Sequence, residues 1–374
     1  MKDLKLFSHL GARLFLTAVF LLSLLAGITS PASAASQSAF GAVYTMTNAA
    51  SGNEVLVYNR SSDGSIAFQG SYPTDGLGSG AGLGSQSAVT LSHNNHWLFA
   101  VNAGSHQIST FAVTEGGLEL VDVVDSGGTL PVSLTSYKDW LYVLNAGGSG
   151  NISGFAVGQD GSLSLLAGST QPVSNGGAGA APAVAQIAFS SDGSTLVVTE
   201  KSTNLIDTYA VENGLAGTPV LNPSAGTTPF GFAFDRHDHA IVSEAASGSV
   251  SSYNIDSGEL NVISSAVVNT QAAACWIAIS NNGKYAYTTN AASGTISSYR
   301  IAEDGTLTLL NATAGVIGAG SSPVDMAFSN NGQTLFALAN GAHTISIFQM
   351  NADGSLTTQG AVPVPVGVVG LAAR

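Results

Sequence analysis

A unit that recurs seven times along the chain constrains the fold more than any other feature. In its clearest copy, residues 323–354, an apolar run leads into a Ser-x-Asn-Gly turn, and a second apolar run ends at Asn. A short loop then precedes a Thr-Ile-Ser-x-Phe strand, and an Asp-Gly turn closes the unit. One unit carries too little apolar surface to fold alone, whereas seven units can close a ring.

The second apolar run of each unit ends at a polar residue, and these residues set the register of the seven copies. They are spaced 43 to 55 residues apart: Asn48, Asn102, Asn145, Glu200, Glu244, Asn290 and Asn340. Alternating apolar residues, with Asn-Gly or Asp-Gly between the runs, predict four short strands in each unit. The pattern therefore predicts an all-β fold, a seven-bladed β-propeller of four-stranded blades.

The two ends of the repeat array are complementary. The first unit starts at its second strand, within residues 40–48, and has no first strand before it. The last unit is followed by residues 365–371, which align with the first strand of that unit at 323–329. We expect the C-terminal run to pair beside residues 42–48 as the innermost strand of the first blade. Such pairing closes the ring and removes an exposed strand edge.

Two connections between units are rich in glycine, residues 76–85 and 174–181. Neither contains Gly-Lys-Ser/Thr, and neither precedes a helical pattern, so a phosphate-binding loop is not indicated. We expect both stretches to be flexible connectors.

Residues 1–34 have the pattern of a signal peptide. A basic start precedes an apolar run of about 15 residues, which is too short for a membrane span, and Ala-Ser-Ala ends the segment. We expect a mature chain that starts at residue 35, a single propeller domain over 35–374, and a secreted or periplasmic location. An uncleaved N-terminal anchor is the alternative. Because Cys275 is the sole cysteine, a lipid-anchored N-terminus and an intrachain disulfide are not expected.

The charge of the mature chain excludes several classes of partner. Of the ten Lys and Arg, three precede residue 35, and of the 23 Asp and Glu, one does; seven basic and 22 acidic residues remain, a net charge of −15. Nucleic acid and anionic membrane surfaces both require a basic face. We expect a monomer that binds a small molecule, with no cofactor and no metal site.

The repeat resembles that of a known family. Its Ser-x-Asp-Gly turns and Asn-Ala-x-Ser-Gly-Thr-Ile loops are similar to those of the seven-bladed lactonases, which include bacterial 6-phosphogluconolactonases and fungal carboxymuconate-lactonising enzymes. The resemblance covers residues 40–374 and identifies the chain with an exported branch of the family. It implies an activity on a cyclic ester.

The resemblance carries over part of the family's active site. The His-Gln of the fourth blade corresponds to an Ala followed by Gln186, and the Pro-Arg-His of the fifth blade corresponds to Pro-Phe-Gly at residues 229–231. The Glu that ends the second strand of the fifth blade is kept as Glu244, and the Arg of the sixth blade falls at Ala278 or Ala291. Gln186 and Glu244 therefore match the family pattern, and its His and Arg do not.

Glu200 and Glu244 are the candidate catalytic residues. They end the second strands of adjacent blades, and we expect both side chains to point towards one rim of the propeller. Two carboxylates beside one cavity can act as acid and base when their environments differ. The alternative is that they cap neighbouring loop amides. Lys201 is either a surface residue or a cation that reaches the funnel.

Three side chains are candidate ligand contacts in the central funnel: Gln186, Trp276 and Asp325, each at the start of an inner strand. An aromatic ring beside a few polar groups suits a sugar or a small organic ligand. Alternatively, Trp276 plugs the top of the channel. Cys275 has no basic partner nearby in the sequence and is expected to be a small buried residue.

Two functions remain open at this point. The first is hydrolysis of a lactone, a cyclic ester of a sugar acid or dicarboxylate, with Glu244 and Glu200 activating water. The second is a non-catalytic propeller that binds a carbohydrate, peptide or protein on its funnel face. The family resemblance favours the first, and the unmatched His and Arg favour the second.

Overall fold

The structure, a computed structural model, describes residues 40–374, which form seven antiparallel sheets of four strands. The prediction of a seven-bladed, all-β propeller is confirmed. Within this range no helix could cross a membrane. The predicted signal peptide, residues 1–34, lies outside the described residues.

Each blade is a meander in which neighbouring strands along the chain pair. The first blade holds β1 (Gly41–Met46), β2 (Glu54–Arg60) and β3 (Ile66–Pro73). The second holds β4 (Val89–Leu91), β5 (Trp97–Asn102), β6 (Gln107–Thr114) and β7 (Gly117–Asp125). The third holds β8 (Pro131–Tyr137), β9 (Trp140–Asn145), β10 (Asn151–Val157), β11 (Leu163–Leu165) and β12 (Gln171–Pro172). The fourth holds β13 (Val184–Phe189), β14 (Thr195–Glu200), β15 (Leu205–Glu212), β16 (Leu215–Ala216) and β17 (Val220–Pro223). In these last two blades the outer strand is split into two segments that pair with the same neighbour.

The remaining blades have unbroken strands. The fifth holds β18 (Pro229–Phe234), β19 (Ala240–Glu244), β20 (Ser249–Asp256) and β21 (Glu259–Val268). The sixth holds β22 (Ala274–Ile279), β23 (Tyr285–Asn290), β24 (Thr295–Ile301) and β25 (Leu307–Val316). The seventh holds β26 (Pro323–Phe328), β27 (Thr334–Ala339), β28 (Thr344–Met350) and β29 (Leu356–Pro363), and β30 (Val369–Ala373) follows.

The C-terminal strand closes the ring. β30 pairs with β1 as the inner strand of the first blade, with Tyr44 opposite Ala372 and Met46 opposite Val369. The predicted closure is confirmed, although the strand begins four residues later than the alignment placed it. Residues 365–368 instead form the connection from the seventh blade.

The Ser-x-(Asp/Asn)-Gly motif folds the turn between the first and second strands. In the fourth blade the Ser190 hydroxyl donates to the Asp192 carboxylate at 2.8 Å and accepts the Thr195 amide at 3.0 Å. Gly193 takes the left-handed conformation with φ +74°, which favours glycine. The motif therefore carries its own turn, and this explains why it is visible in the sequence.

Chain direction assigns every connection to one of two faces. The turns between first and second strands, and between third and fourth, lie on one face, which we call the turn face. The loops between second and third strands, and the connections between blades, lie on the other, which we call the funnel face. Inner strands start at the funnel face, so their first residues surround the mouth of the central channel.

The pairing register corrects two of the repeat positions. Pro323 of the inner strand pairs with Ala339, and Val369 pairs with Met46. Ala339 and Met46 thus occupy the place of Glu200 and Glu244, whereas Asn48 and Asn340 lie just beyond their strands. The prediction of five Asn at this position is wrong, because the strand-ending Asn is displaced by one or two residues in the seventh and first blades.

Candidate functional site

In the fourth, sixth and seventh blades the third residue of the inner strand lies near the funnel-face end of that strand. These residues are Gln186, Trp276 and Asp325, the three predicted ligand contacts, and each side chain is buried. In the first blade the equivalent residue is Leu371, because β30 starts at Val369.

Two glutamine side chains form hydrogen bonds between inner strands of different blades. Gln186 donates to the Phe232 carbonyl at 2.9 Å and accepts the Phe232 amide at 2.7 Å. Gln86 makes the same pair of bonds with Ile277, at 2.7 Å and 3.1 Å, and so joins the second blade to the sixth. A side chain at Gly231 would collide with the Gln86 amide oxygen. Both polar atoms of the Gln186 amide thus bond to Phe232, and Gln186 is not among the residues that line the cavity at the funnel mouth.

The connection from the first to the second blade covers the channel mouth. Residues 85–87 of this connection contact four other blades. The Ser85 hydroxyl donates to the Val132 carbonyl of the third blade at 2.8 Å, and the backbone N–H of Gln86 donates to the Ala185 carbonyl of the fourth blade at 3.1 Å. The sequence predicted a flexible connector for residues 76–85, but the end of this stretch is anchored across the funnel.

Trp276 closes the channel below this connection. Its indole Nε1 donates to the Ser85 carbonyl at 2.9 Å, its ring lies 4.7 Å from that of Phe230, and it is 6% exposed. Trp276 therefore plugs the channel, the alternative left open by the sequence, and one side of it still faces a cavity.

That cavity lies at the funnel mouth and has a volume of about 270 Å³. Its walls come from the first-to-second-blade connection, from inner strands and from one loop of the seventh blade: Gly82, Leu83, Gly84, Ser85, Trp276, Val324, Asp325, Asn340, Val369 and Gly370. The side chains of Trp276, Leu83 and Val324 make it largely apolar, while Asp325 and Asn340 supply polar groups. A concave apolar site with a few converging polar groups is typical of small-molecule binding.

Asp325 is the titratable group of this cavity. Its Oδ2 accepts the Ser87 and Leu371 amides at 3.3 Å and 3.1 Å, and its Oδ1 accepts the Met326 amide at 2.9 Å. Burial raises the pKa of Asp325 to about 7, although the three amides oppose the shift. A carboxyl whose pKa lies in this range is typical of a general acid or base.

Lys201 stands at the lip of the cavity and does not line it. Its ammonium donates to the Gly84 carbonyl at 2.6 Å and lies 5.0 Å from the centre of the Phe230 ring. Burial lowers the pKa of Lys201. Cys275 is buried beside it, and burial raises the pKa of its thiol to about 12, so it is an inert packing residue.

Glu200 and Glu244 occupy equivalent places between blades, and both are 0% exposed. Glu244 accepts the Gly226 amide and the Ser249 and Ser251 hydroxyls, each at 2.7 Å. Glu200 accepts the Ser174 amide at 2.9 Å and the Thr203 hydroxyl at 2.6 Å. Each carboxylate thus caps the connection from the preceding blade. Both carboxylates therefore lie at the funnel face and bind loop amides, the alternative given above, and their part in catalysis stays a prediction.

A third buried carboxyl, Asp207, lies beside Glu200 and was missed in the sequence. Its two oxygens have no hydrogen-bond donor among the described residues. Burial and the charge of Glu200 raise its pKa. The repeat alignment could have revealed Asp207 as an exception. The equivalent residue of the third strand is serine in five other blades: Ser109, Ser153, Ser251, Ser297 and Ser346.

Comparison with known proteins identifies the architecture. A family model described as Lactonase, 7-bladed beta-propeller, matches residues 41–177, 149–275 and 239–368. No curated protein sequence matches the chain.

Solved structures of low sequence identity share the fold. A proposed 6-phosphogluconolactonase of Bacteroides uniformis has 21% identity and a TM-score of 0.71, covering 90% of this chain and 100% of that one. One from Bacteroides fragilis has 20% identity and a TM-score of 0.65, with 89% and 98% covered. A periplasmic gluconolactonase of Pseudomonas aeruginosa has 18% identity and a TM-score of 0.70, with 89% and 98% covered.

Proposed function

Because the chain belongs to the lactonase family of seven-bladed β-propellers, we propose that it hydrolyses a lactone in the cavity at the funnel mouth. The observation that carries this proposal is the position of Asp325. It is a carboxyl in the wall of a largely apolar cavity, and burial raises its pKa to about 7. A base of this kind is what the attack of water on an ester requires.

In the proposed mechanism Asp325 removes a proton from water as the water oxygen attacks the lactone carbonyl carbon. The ring C–O bond then breaks, and the leaving ring oxygen takes the same proton back from Asp325, which returns to its carboxylate form. The products are one carboxylic acid and one hydroxyl on the same molecule. The three amides that bind the Asp325 carboxylate fix its orientation, so that its proton exchange occurs at one defined place.

Two other walls of the cavity have supporting roles. The Trp276 ring offers an apolar surface to the face of a lactone ring. The Asn340 side chain makes no hydrogen bond to the part of the chain that the structure describes, so its amide is free to donate to the carbonyl oxygen that becomes negative. Gln186, by contrast, is committed to Phe232 and has no role in this scheme.

A panel of sugar lactones and dicarboxylate lactones tests the proposal, with spontaneous hydrolysis subtracted. The wild-type rate is expected to rise with pH through about 7 and then level off, since Asp325 acts in its deprotonated form. Asp325→Asn should lower kcat by about 10²-fold or more and abolish this pH dependence. Asp235→Asn, a buried carboxyl on the turn face, is the matched control and should retain the rate.

Glu244→Gln separates this assignment from the one made on the sequence. Glu244 is fully buried, so its substitution should reduce stability while the folded fraction keeps its rate within a few-fold. A large loss of kcat in folded Glu244→Gln, with Asp325→Asn active, would instead favour Glu244 as the base.

The filled channel favours a second candidate, a propeller that binds a ligand without chemistry. Gln86 and Trp276 occupy the channel centre, so a ligand has access to the shallow mouth alone. If no lactone of the panel is opened, binding of carbohydrates and peptides at the mouth becomes the function to test.

Export belongs to the proposal as well, on the signal-like segment 1–34. It predicts a mature N-terminus at residue 35, which N-terminal sequencing of protein recovered outside the cytoplasm would reveal.

A further inference from the structure

We propose that the lactone taken by this cavity is uncharged, carrying neither a phosphate nor a carboxylate. The inference rests on the proposed hydrolysis and adds the class of substrate. It comes from the distribution of charge on the funnel face and from the contacts of the single cation there.

The basic residues of the described chain are almost all on the turn face. Residues 40–374 hold seven of the ten Lys and Arg. Six of the seven lie in turns between first and second strands or near the turn-face ends of strands: Arg60, Lys138, Arg236, Lys284, Arg300 and Arg374. Lys201 alone follows a second strand and so belongs to the funnel face. His106 and His343 also stand on this face, and neither lines the cavity.

Lys201 is already engaged. Its ammonium donates to the Gly84 carbonyl at 2.6 Å and rests over the Phe230 ring, and Lys201 is not among the residues that line the cavity. Phosphate and carboxylate groups are typically bound by Arg forks, Lys or clusters of backbone amides. The Ser87 and Leu371 amides bind the Asp325 carboxylate and are therefore not available to a ligand anion.

The residues that line the cavity therefore include one acidic group, Asp325, and no basic group. Asp325 faces the ligand, and an anionic substituent within the same 270 Å³ would be repelled by it with little solvent between them. An uncharged lactone avoids this repulsion on entry. Hydrolysis then creates a carboxylate and releases a proton at neutral pH, so the product gains the charge that the cavity disfavours. The same arrangement thus admits the neutral ester and expels its acid.

Glucono-δ-lactone and its 6-phosphate are the probes, compared by kcat/KM with spontaneous hydrolysis subtracted. The uncharged lactone is expected to be preferred by roughly tenfold or more, and added salt should narrow the difference. The free gluconate product should be a weak inhibitor.

Gly82 offers a place to reverse the charge. It lines the cavity, is exposed, has no left-handed backbone, and a side chain there would meet no atom within 4 Å. Gly82→Lys should improve the relative kcat/KM for the 6-phosphate by about tenfold and strengthen gluconate inhibition. Gly82→Gln has a similar bulk without charge and should leave the ratio at its wild-type value.

The outcomes distinguish the two proposals. Preference of the wild type for the 6-phosphate, or a Gly82→Lys ratio equal to that of Gly82→Gln, overturns the uncharged substrate while hydrolysis stands. If neither lactone is opened, hydrolysis fails, and calorimetry with glucono-δ-lactam and its 6-phosphate decides the charge question. Tighter binding of the phosphorylated lactam, or no binding of the uncharged one, then overturns this inference too.

Discussion

Adjacent blades are locked together by a contact between an aromatic ring and a turn glycine, and this contact is directly testable. Trp97 begins the second strand of the second blade and packs against Gly161, in the turn before the outer strand of the third blade. Trp140 and Tyr285 make the same contact with the next blade, at Gly214 and Gly354. We therefore expect Gly161→Ala to weaken the interface between blades.

The structure separates two contributions to that effect. A methyl carbon at Gly161 would lie 2.6 Å from the Trp97 ring, and Gly161 has φ +85°. In the same blade, Gly168 has φ +82° and would meet no atom within 4 Å. Both substitutions place alanine in the left-handed region, at about 1–2 kcal/mol each. Gly161→Ala alone adds the collision, about 1–3 kcal/mol for overpacking.

Thermal and urea unfolding of both variants measure the difference. With about 2.1 cal/mol/K of unfolding entropy per residue, the collision should lower Tm by roughly 2–4 °C more in Gly161→Ala than in Gly168→Ala. A double-mutant cycle with Trp97→Phe should recover part of that excess, because the smaller ring retreats from the added methyl. Equal losses in the two glycine variants, or no coupling to Trp97, would refute the interlocking contact.

Two further predictions concern stability. Asp207→Ser introduces the residue found at this position in five other blades. Burial beside Glu200 raises the pKa of Asp207 in the folded state. The stability of the wild type is therefore greatest below the pKa of the unfolded state and falls as the pH rises through the pKa of the folded state. Between pH 5 and pH 8 the free energy of unfolding of the variant, measured in urea, should rise relative to that of the wild type by roughly 1–3 kcal/mol. A constant difference across that range would contradict the buried carboxyl pair. Leu371→Ala removes a buried side chain from the closing strand and should cost about 2–4 kcal/mol, whereas Val366→Ala, 76% exposed in the preceding connection, should change stability little. Equal effects of these two substitutions would argue against closure by β30.

The fold could be predicted from the sequence, because the residues that define each strand and each turn are close together along the chain. Strands alternate with a period of two, and each Ser-x-(Asp/Asn)-Gly segment forms its turn from its own side chains, as Ser190 and Asp192 do. The first of the seven units lacks its first strand, and an extra strand follows the last unit. The ring can therefore be closed by pairing the extra strand with the first unit, as β30 does with β1. The positions of Trp276 and Asp325 on the channel followed from the same periodicity.

The site was only partly accessible, because its geometry depends on contacts between distant blades. Residues 85–87, in the connection between the first and second blades, form hydrogen bonds with four other blades. The local sequence of a glycine-rich stretch gives no sign of such contacts. Glu200 and Glu244 looked like rim carboxylates, but the preceding blade's connections cover both completely. Periodicity assigns a side chain to a face of its strand. Whether that face is open, plugged or capped is decided by segments that arrive from elsewhere in the ring.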